Sequence, residues 1–406
     1  LHCHGAIFYI LHIFGAFELS HLFARLSLLY FAYFALLGVM APYLSLYLES
    51  EGYSLFEIAQ LLSLLMITKM IAPILWGALA DRTNKSVFLV RLGALMTLIC
   101  YLGFFWAHSF WAIAGVIILY SFFWNAVLPQ IEVLTLYNLA EQRHRYSRIR
   151  LWGSVGFIFS VAFCGWYFDV VGIAYFPWVL LVFILAIFLA SLFRYAEVDA
   201  ASCASGGGSF RKQLMRPYVI LFFMISFLLQ VSHGAYYTYF SIYLTKLDYS
   251  KFQIGWLWAL GVIAEVIMFV FMHRWLKKST ITNIMLIALL MTLIRWSLTA
   301  YYAGSLWMIT WLQCLHAFSF GAMHVACIQF VHDNFVQHHQ GRAQALYSSM
   351  GFGAGGAVGA YLSGYAVTVW DYSLAFLLSA GVILLALILL QFMKMSLKNE
   401  NNMRIS

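Results

Sequence analysis

Runs of about twenty apolar residues, the length of helix that spans the hydrocarbon core of a bilayer, recur along nearly all of this 406-residue chain. No other feature restricts its fold as much. In lipid every backbone N–H and C=O must be satisfied within the protein, which leaves helices and closed barrels. Apolar runs this long, without period-two alternation, read as helices. Only 9% of the residues are charged and 64% are hydrophobic, too little charge to cover a water-soluble protein of this size. The expected class is therefore all-α and integral to the membrane.

Twelve spans can be marked, near 27–48, 55–80, 87–107, 109–138, 148–168, 174–194, 217–244, 251–273, 281–302, 305–331, 344–367 and 373–393. The connections between them alternate in charge. All 23 basic residues except Lys69, Lys246, Lys251 and Arg295 fall in one set of loops and helix ends. The opposite loops hold Lys246 and Lys251 beside Glu49, Glu51, Asp169, Asp248 and Asp371. By the positive-inside rule both termini are expected in the cytoplasm of a multi-pass inner (plasma) membrane protein. The net charge of +8 is thus spoken for by lipid and topology, and no nucleic-acid partner is expected. The six cysteines have no C-x-x-C spacing and lie mostly inside apolar runs, so they read as small apolar residues, not as metal ligands or disulfides.

The two ends of the chain are less informative. Residues 1–24 hold four of the thirteen histidines, only a short apolar run, and no basic n-region of a signal peptide. They are expected to be an extension from an over-long start, with the functional chain beginning near Leu22. Residues 195–216 form the one Gly/Ser-rich polar connector longer than a short loop and read as a cytoplasmic linker. The expected organisation is then a bundle at 25–194, the linker, a second bundle at 217–394 and a tail at 395–406.

An internal repeat supports that division. "YLSLYLESEGYSLFEI" (43–58) aligns without gaps on "YFSIYLTKLDYSKFQI" (239–254), offset by 196 residues, with eight of the sixteen positions identical. Six helices duplicated to twelve is the plan of a secondary transporter, with its binding site near the midplane between the halves.

Two motifs sharpen this plan. "GALADRTNKS" (77–86) resembles the loop motif G-x-L-A-D-R-x-G-R-K of the major facilitator superfamily, with Asn84 at the second glycine. Asn tolerates the left-handed turn that glycine usually supplies. The resemblance makes Gly77, Asp81 and Arg82 gating residues, Asp81 latching the cytoplasmic side through charge-assisted hydrogen bonds; the plain alternative is a solvated loop. "GFGAGG" (351–356) formally fits a dinucleotide fingerprint. It lies inside an apolar span, so Gly351, Gly355 and Gly359 are expected to form a packing stripe on one helix face.

Ionisable residues within spans carry the functional signal, because each costs about 2.5–3.5 kcal/mol at a helix centre and so faces a cavity or a partner. They are Lys69, Glu132, Glu265 and Arg295, joined by His233, His316 and His324. Taken singly, each is equally readable as a structural ion pair or a core histidine. Lys69 and Glu265 stand 196 residues apart, so the repeat places them at matching depths in the two halves.

The pattern "LPQIE", "YSRIRLWGSVGF", "HGAYY", "AEVIMF", "IRW" and "LHAFSFGAMH" resembles the phenylpropionate permease family of the major facilitator superfamily, from about residue 23 to 394. More distantly the layout is similar to lactose permease-type proton symporters. Those carry a helix-4 carboxylate with a helix-5 arginine eighteen residues later, as in Glu132 and Arg150. They also carry a helix-8 acid, a helix-9 arginine and a helix-10 histidine, matched by Glu265, Arg295 and His316. Where they place the proton-carrying glutamate, three residues after that histidine, this chain has Ser319. The proton carrier must differ, with Glu265 first in order and Glu132, His316 and His324 behind it.

The resemblance implies a twelve-helix major facilitator fold working as a monomer. The implied activity is proton-coupled import, by alternating access, of a small organic solute such as 3-phenylpropionate. Sugar or nucleoside symport, or export or facilitated passage on the same fold, remain open. A membrane sensor is disfavoured by the short linker and tail, and an enzyme by the lack of any Ser/His/Asp or HExxH pattern; no cofactor or metal is expected. The substrate set is Glu132, Arg150, His233, Tyr236 and Trp124, with Tyr237 beside them; the coupling set is Glu265, Arg295, His316, His324 and Lys69. Arg148 joins the gating set, because "GRAQALYSS" places Arg342 opposite it in the second half and leaves Arg150 unrepeated. Arg148 and Arg150 are two residues apart, so on a helix they point about 200° from each other and cannot share one role.

Overall fold

The computed structural model describes residues 2–197 and 209–405, and among these there is no strand. The first bundle contains α1 (His2–Ser50), α2 (Leu55–Thr83), α3 (Ser86–Leu102), α4 (Phe110–Leu139), α5 (Tyr146–Val171) and α6 (Phe176–Ser191). After a short α7 (Phe210–Leu214) comes the second bundle, whose first span is made of α8 (Pro217–Ser232) and α9 (Gly234–Lys246). It continues with α10 (Lys251–Lys278) and α11 (Ile281–Tyr302). The span expected at 305–331 is α12 (Leu306–Cys314) and α13 (Met323–Asn334), joined by the π turn Ala317–Ala322. The next is α14 (Gln337–Ser348) and α15 (Gly356–Val369), joined by a second π turn, Ser349–Gly355; α16 (Tyr372–Ile405) follows. Eleven described helical stretches are long and apolar enough to cross a membrane; the interrupted stretch 337–369 stands twelfth.

Local chemistry explains the boundaries, and the repeat extends to it. Ser54 and Ser250, offset by 196, each open a helix with a capping box, completed by Glu57 in α2 and Gln253 in α10. The turns before them use equivalent positions in a left-handed conformation: Gly52 at φ +89° and Asp248 at φ +62°. Asn84 closes α2 at φ 53°, the left-handed turn expected for the loop motif.

The linker is anchored at both ends. Glu197 accepts from the backbone N–H of Val87 at the start of α3 (3.0 Å), and the ring of Phe210 packs on Phe335 and His339 of the second half. The Gly/Ser-rich centre of the expected linker, 198–208, lies outside the described residues.

The halves meet along two close seams. In the first, α5 crosses α10 where Gly165 and Gly255 both lie against the Tyr43 hydroxyl, Gly165 also meeting the Lys251 carbonyl. In the second, α2 crosses the π turn and α15, with Met70 on Gly353 and Met66 on Gly356. The expected stripe of Gly351, Gly355 and Gly359 packs instead within the second half, against Ser226, Phe227, Gln230 and Val231 of α8. The polar ties across the halves are Lys246–Glu49 (2.8 Å), Tyr239 to the Leu55 carbonyl (2.5 Å), Ser63 to the Ala357 carbonyl (3.1 Å) and Ser349 to that of Met70 (3.4 Å). Asp169 of α5 accepts from the N–H groups of Lys251 and Phe252, both at 2.8 Å, capping α10 from the opposite half. These ties lie at the face opposite the basic loops and along the middle of the seam.

Candidate functional site

The charged groups of the second half converge on Arg295, which is fully buried on α11. Its Nη1 donates to Ser319 (2.9 Å) and to Nδ1 of His316 (3.0 Å), and its Nη2 donates to Oε1 of Gln313 (3.0 Å). The guanidinium lies over the rings of Tyr236 (4.4 Å) and Trp296 (4.6 Å), a desolvated cation–π arrangement. Because Arg295 can only donate, Nδ1 of His316 accepts, and the ring proton sits on Nε2. That Nε2 faces Oε2 of Glu265 at 3.7 Å, longer than a hydrogen bond but within ion-pair range. The order is therefore Arg295, His316, Glu265, with the histidine between the two charges.

The π turn Ala317–Ala322 creates this geometry. One extra residue in the turn brings Ser319 onto Arg295 beside His316, and Glu265 packs over Gly321 of the same turn (3.2 Å to an added Cβ). Gln313, one turn earlier, accepts from both Arg295 and the Tyr236 hydroxyl (3.0 Å each). Sequence reading missed Gln313 and gave Ser319 no role. Their signal was positional only, both lying within three residues of His316.

His316 also starts an aromatic ladder. Phe320 stacks on His316 (5.4 Å) and on His324 (5.9 Å), while His324 reaches the Tyr347 hydroxyl (3.2 Å) and the Phe352 ring (5.9 Å). Phe352 belongs to the second π turn, and Lys69 of the first half has its Nζ 5.4 Å from that ring centroid. The ladder thus crosses from one half to the other.

The first half offers Glu132, Arg150 and Trp124. The guanidinium of Arg150 lies on the Phe34 ring (4.1 Å) and over Tyr30 (5.7 Å). Arg150 stands on α5 and Glu265 on α10, the two helices that cross at the seam between the halves. Arg148 is exposed, as are Asp81 and Arg82, while Gly77 is partly buried. Asp81 makes no hydrogen bond or ion pair with another described residue. Trp124 is buried and stacked on Tyr33 at 5.2 Å. Nearby, Thr68 bonds Ser121 (2.7 Å) and Asn125 (3.1 Å), which locks α2 to α4.

Tyr236 lies against Arg295, and His233 lies edge-on to Trp296. His233, at the break between α8 and α9, is fully buried; its Nδ1 donates to the Leu229 carbonyl (2.8 Å), and Tyr237 stacks on its ring. Tyr236 is enclosed between Arg295, Trp258 and Phe240.

These features can be set beside known proteins. The model of the MFS_1 like family matches residues 23–397. The chain belongs to that family. A "Probable 3-phenylpropionic acid transporter" of Escherichia coli (strain K12) is 27% identical over 349 residues, 84% of this chain and 90% of the relative. A "Maltose permease" of Geobacillus stearothermophilus is 28% identical over 357 residues, 86% of this chain and 89% of the relative. Among solved structures, the nucleoside transporter NupG superposes with a TM-score of 0.74 at 19% identity, covering 92% of this chain and 98% of that one. The POT family transporter PepTSo gives 0.73 at 10% identity, covering 92% and 97%. These structures establish the fold, a twelve-span major facilitator body, and the family's relatives are transporters. This chain is a multi-pass membrane transporter.

Proposed function

We propose that this protein is a proton-coupled importer of a small organic anion, most simply an aromatic carboxylate such as 3-phenylpropionate. The observation that carries this reading is the arrangement of intramembrane charge around the seam between the halves. Lys69, Arg150 and Arg295 stand there against Glu132 and Glu265, one cation in excess. A monoanion balances that set, and aromatic side chains (Phe34, Phe320, Phe352) lie beside its charged members. The name of the E. coli relative agrees with this substrate class.

Coupling follows from the position of Glu265. A carboxylate in an apolar cavity favours its neutral form, and a cation brought near favours the charged one. Arg150 lies on α5 and Glu265 on α10, which cross antiparallel at the seam between the halves, so rocking the halves apart moves a cation relative to the acid. Glu265 takes its proton when the site opens outward and releases it when the site opens to the cytoplasm. Polar ties at the face opposite the basic loops and along the middle of the seam fit a cytoplasm-facing conformation under the positive-inside rule, with Asp81 unlatched. The two bundles at 25–194 and 217–394 act as the rocking bodies, the chain works as a monomer in the inner membrane, and both termini are cytoplasmic.

Sugar–proton symport is the second reading, since the maltose permease relative is as similar as the phenylpropionate one. Proteoliposomes with an imposed pH gradient decide between them. Labelled 3-phenylpropionate, maltose and uridine are offered at equal concentration. Acid-driven accumulation of 3-phenylpropionate alone supports the first reading; accumulation of maltose in its place supports the second. Uptake of the acid that ignores the pH gradient would rule out proton coupling.

A further inference from the structure

The intramembrane charges differ in whether the protein already answers them. Arg295 has both terminal nitrogens bonded and the rings of Tyr236 and Trp296 against its guanidinium, and it is fully buried. Glu265 faces His316 at 3.7 Å, and the Arg150 guanidinium lies against the rings of Phe34 (4.1 Å) and Tyr30 (5.7 Å) of its own half. Lys69 has no acid: among the described residues it makes no hydrogen bond or ion pair, and its Nζ lies 5.4 Å from the centroid of the Phe352 ring. A cation in a membrane interior without a counter-charge is costly unless its partner arrives from outside the chain.

Its surroundings hold it ready for such a partner. Thr68, one residue before, is buried and bonded to Ser121 and Asn125. Met70, one residue after, packs on Gly353 and accepts from Ser349 through its carbonyl. The backbone is pinned on both sides while the side chain is only partly buried. Phe352 beside it continues into Phe320 (5.7 Å) and Tyr347 (5.7 Å), an apolar aromatic wall. A point cation at the edge of such a wall suits a carboxylate joined to a flat apolar group. Among the described residues no titratable side chain lies within bonding distance of Nζ to pass it a proton.

We propose that Lys69 is the carboxylate anchor of the transported anion, with Phe352 receiving the apolar part next to it. This rests on the organic-anion reading above and narrows it, placing the anion's carboxylate at Lys69 and leaving Arg150 against Phe34 and Tyr30.

Binding to purified protein in detergent tests the assignment without requiring proton coupling. The parent, Lys69→Gln and Lys69→Arg are titrated with 3-phenylpropionate, with its neutral amide, and with a short panel of other organic monoanions. The expected result is a loss of about tenfold or more for the acid in Lys69→Gln, an unchanged amide affinity in the same protein, and recovery to within about threefold of parent in Lys69→Arg. The retained amide binding also shows that the variant is folded. Equal acid affinity in parent and Lys69→Gln would overturn the assignment. So would parallel loss of acid and amide in a protein that elutes and melts like the parent, since Lys69 would then shape the cavity and not pair with charge. If the parent ignores 3-phenylpropionate but binds another monoanion of the panel, the aryl-acid reading fails and the variants are judged on that anion. A parent that binds no anion in the panel sinks both.

Discussion

Tyr239 and Tyr43, equivalent positions 196 residues apart, reach the same feature of the opposite half, yet only one of them bonds it. The Tyr239 hydroxyl donates at 2.5 Å to the carbonyl of Leu55, the first residue of α2. Tyr43 lies 3.4 Å from the carbonyl of Lys251, the first residue of α10, but gives its single proton to Val161 of its own half at 2.7 Å. A hydroxyl has one proton, so the duplicated lock is closed on one side only. A net hydrogen bond contributes about 0.5–1.5 kcal/mol. Tyr239→Phe should therefore shift the balance toward the state open at this face by about two- to tenfold, and Tyr43→Phe should shift it much less. Accessibility of a cysteine placed below Leu55 to a membrane-impermeant thiol reagent reads the shift. Equal labelling in the two variants would refute the asymmetry.

A steric prediction concerns the break between α8 and α9. Gly234 and Gly359 meet backbone to backbone, and an added Cβ on Gly359 would run into the Val231 carbonyl. No flexible side chain is there to move aside, so Gly359→Ala should cost about 1–3 kcal/mol through overpacking. Gly77, in the loop motif, has nothing within 4 Å of an added Cβ. Gly77→Ala should leave the melting temperature of detergent-solubilised protein unchanged, while Gly359→Ala lowers it by several degrees. A parent-like melt for Gly359→Ala would show that the two helices slide apart at little cost.

Much of this molecule is written where physical constraints are local. The twelve spans follow from bilayer thickness, and the repeat predicted equivalent helix starts that reappear as the capping boxes at Ser54 and Ser250. The site was legible in membership more than in geometry. Glu265, His316 and Arg295 stand out because charge is costly in lipid. Their order, with His316 in the middle, depends on the π turn at Ala317–Ala322, which no period of 3.6 residues announces. Gln313 escaped notice because an uncharged amide in an apolar run looks the same whether or not it braces an arginine. Depth opposite Glu265 places Lys69 in the coupling set, and the ring beside its ammonium, Phe352, is visible only in the packing.

The position of Glu265 yields a transport prediction. Glu265→Gln keeps the volume and the contact over Gly321 but cannot gain or lose a proton. Exchange of labelled for unlabelled substrate across proteoliposomes needs no net proton movement, so it should stay within about threefold of parent, a shift of less than about 1 kcal/mol. Uphill accumulation under a pH gradient should be abolished. Accumulation that persists in this variant would move the proton to Glu132, His316 or His324.

The two arginines at the head of α5 give a final test, since helical geometry sends them opposite ways. Arg148 is exposed at the basic face, whereas Arg150 turns inward onto Phe34 and Tyr30. A guanidinium stacks flat on a ring and presents a planar edge of donors, and a lysine does neither. Arg150→Lys keeps the charge but loses that plane. It should weaken transport by about tenfold, roughly 1.4 kcal/mol, while Arg148→Lys, still a cation among lipid headgroups and water, stays near parent. Initial rates of uptake at matched protein density measure both. Equal and mild effects would return Arg150 to the status of a topology anchor and remove it from the site.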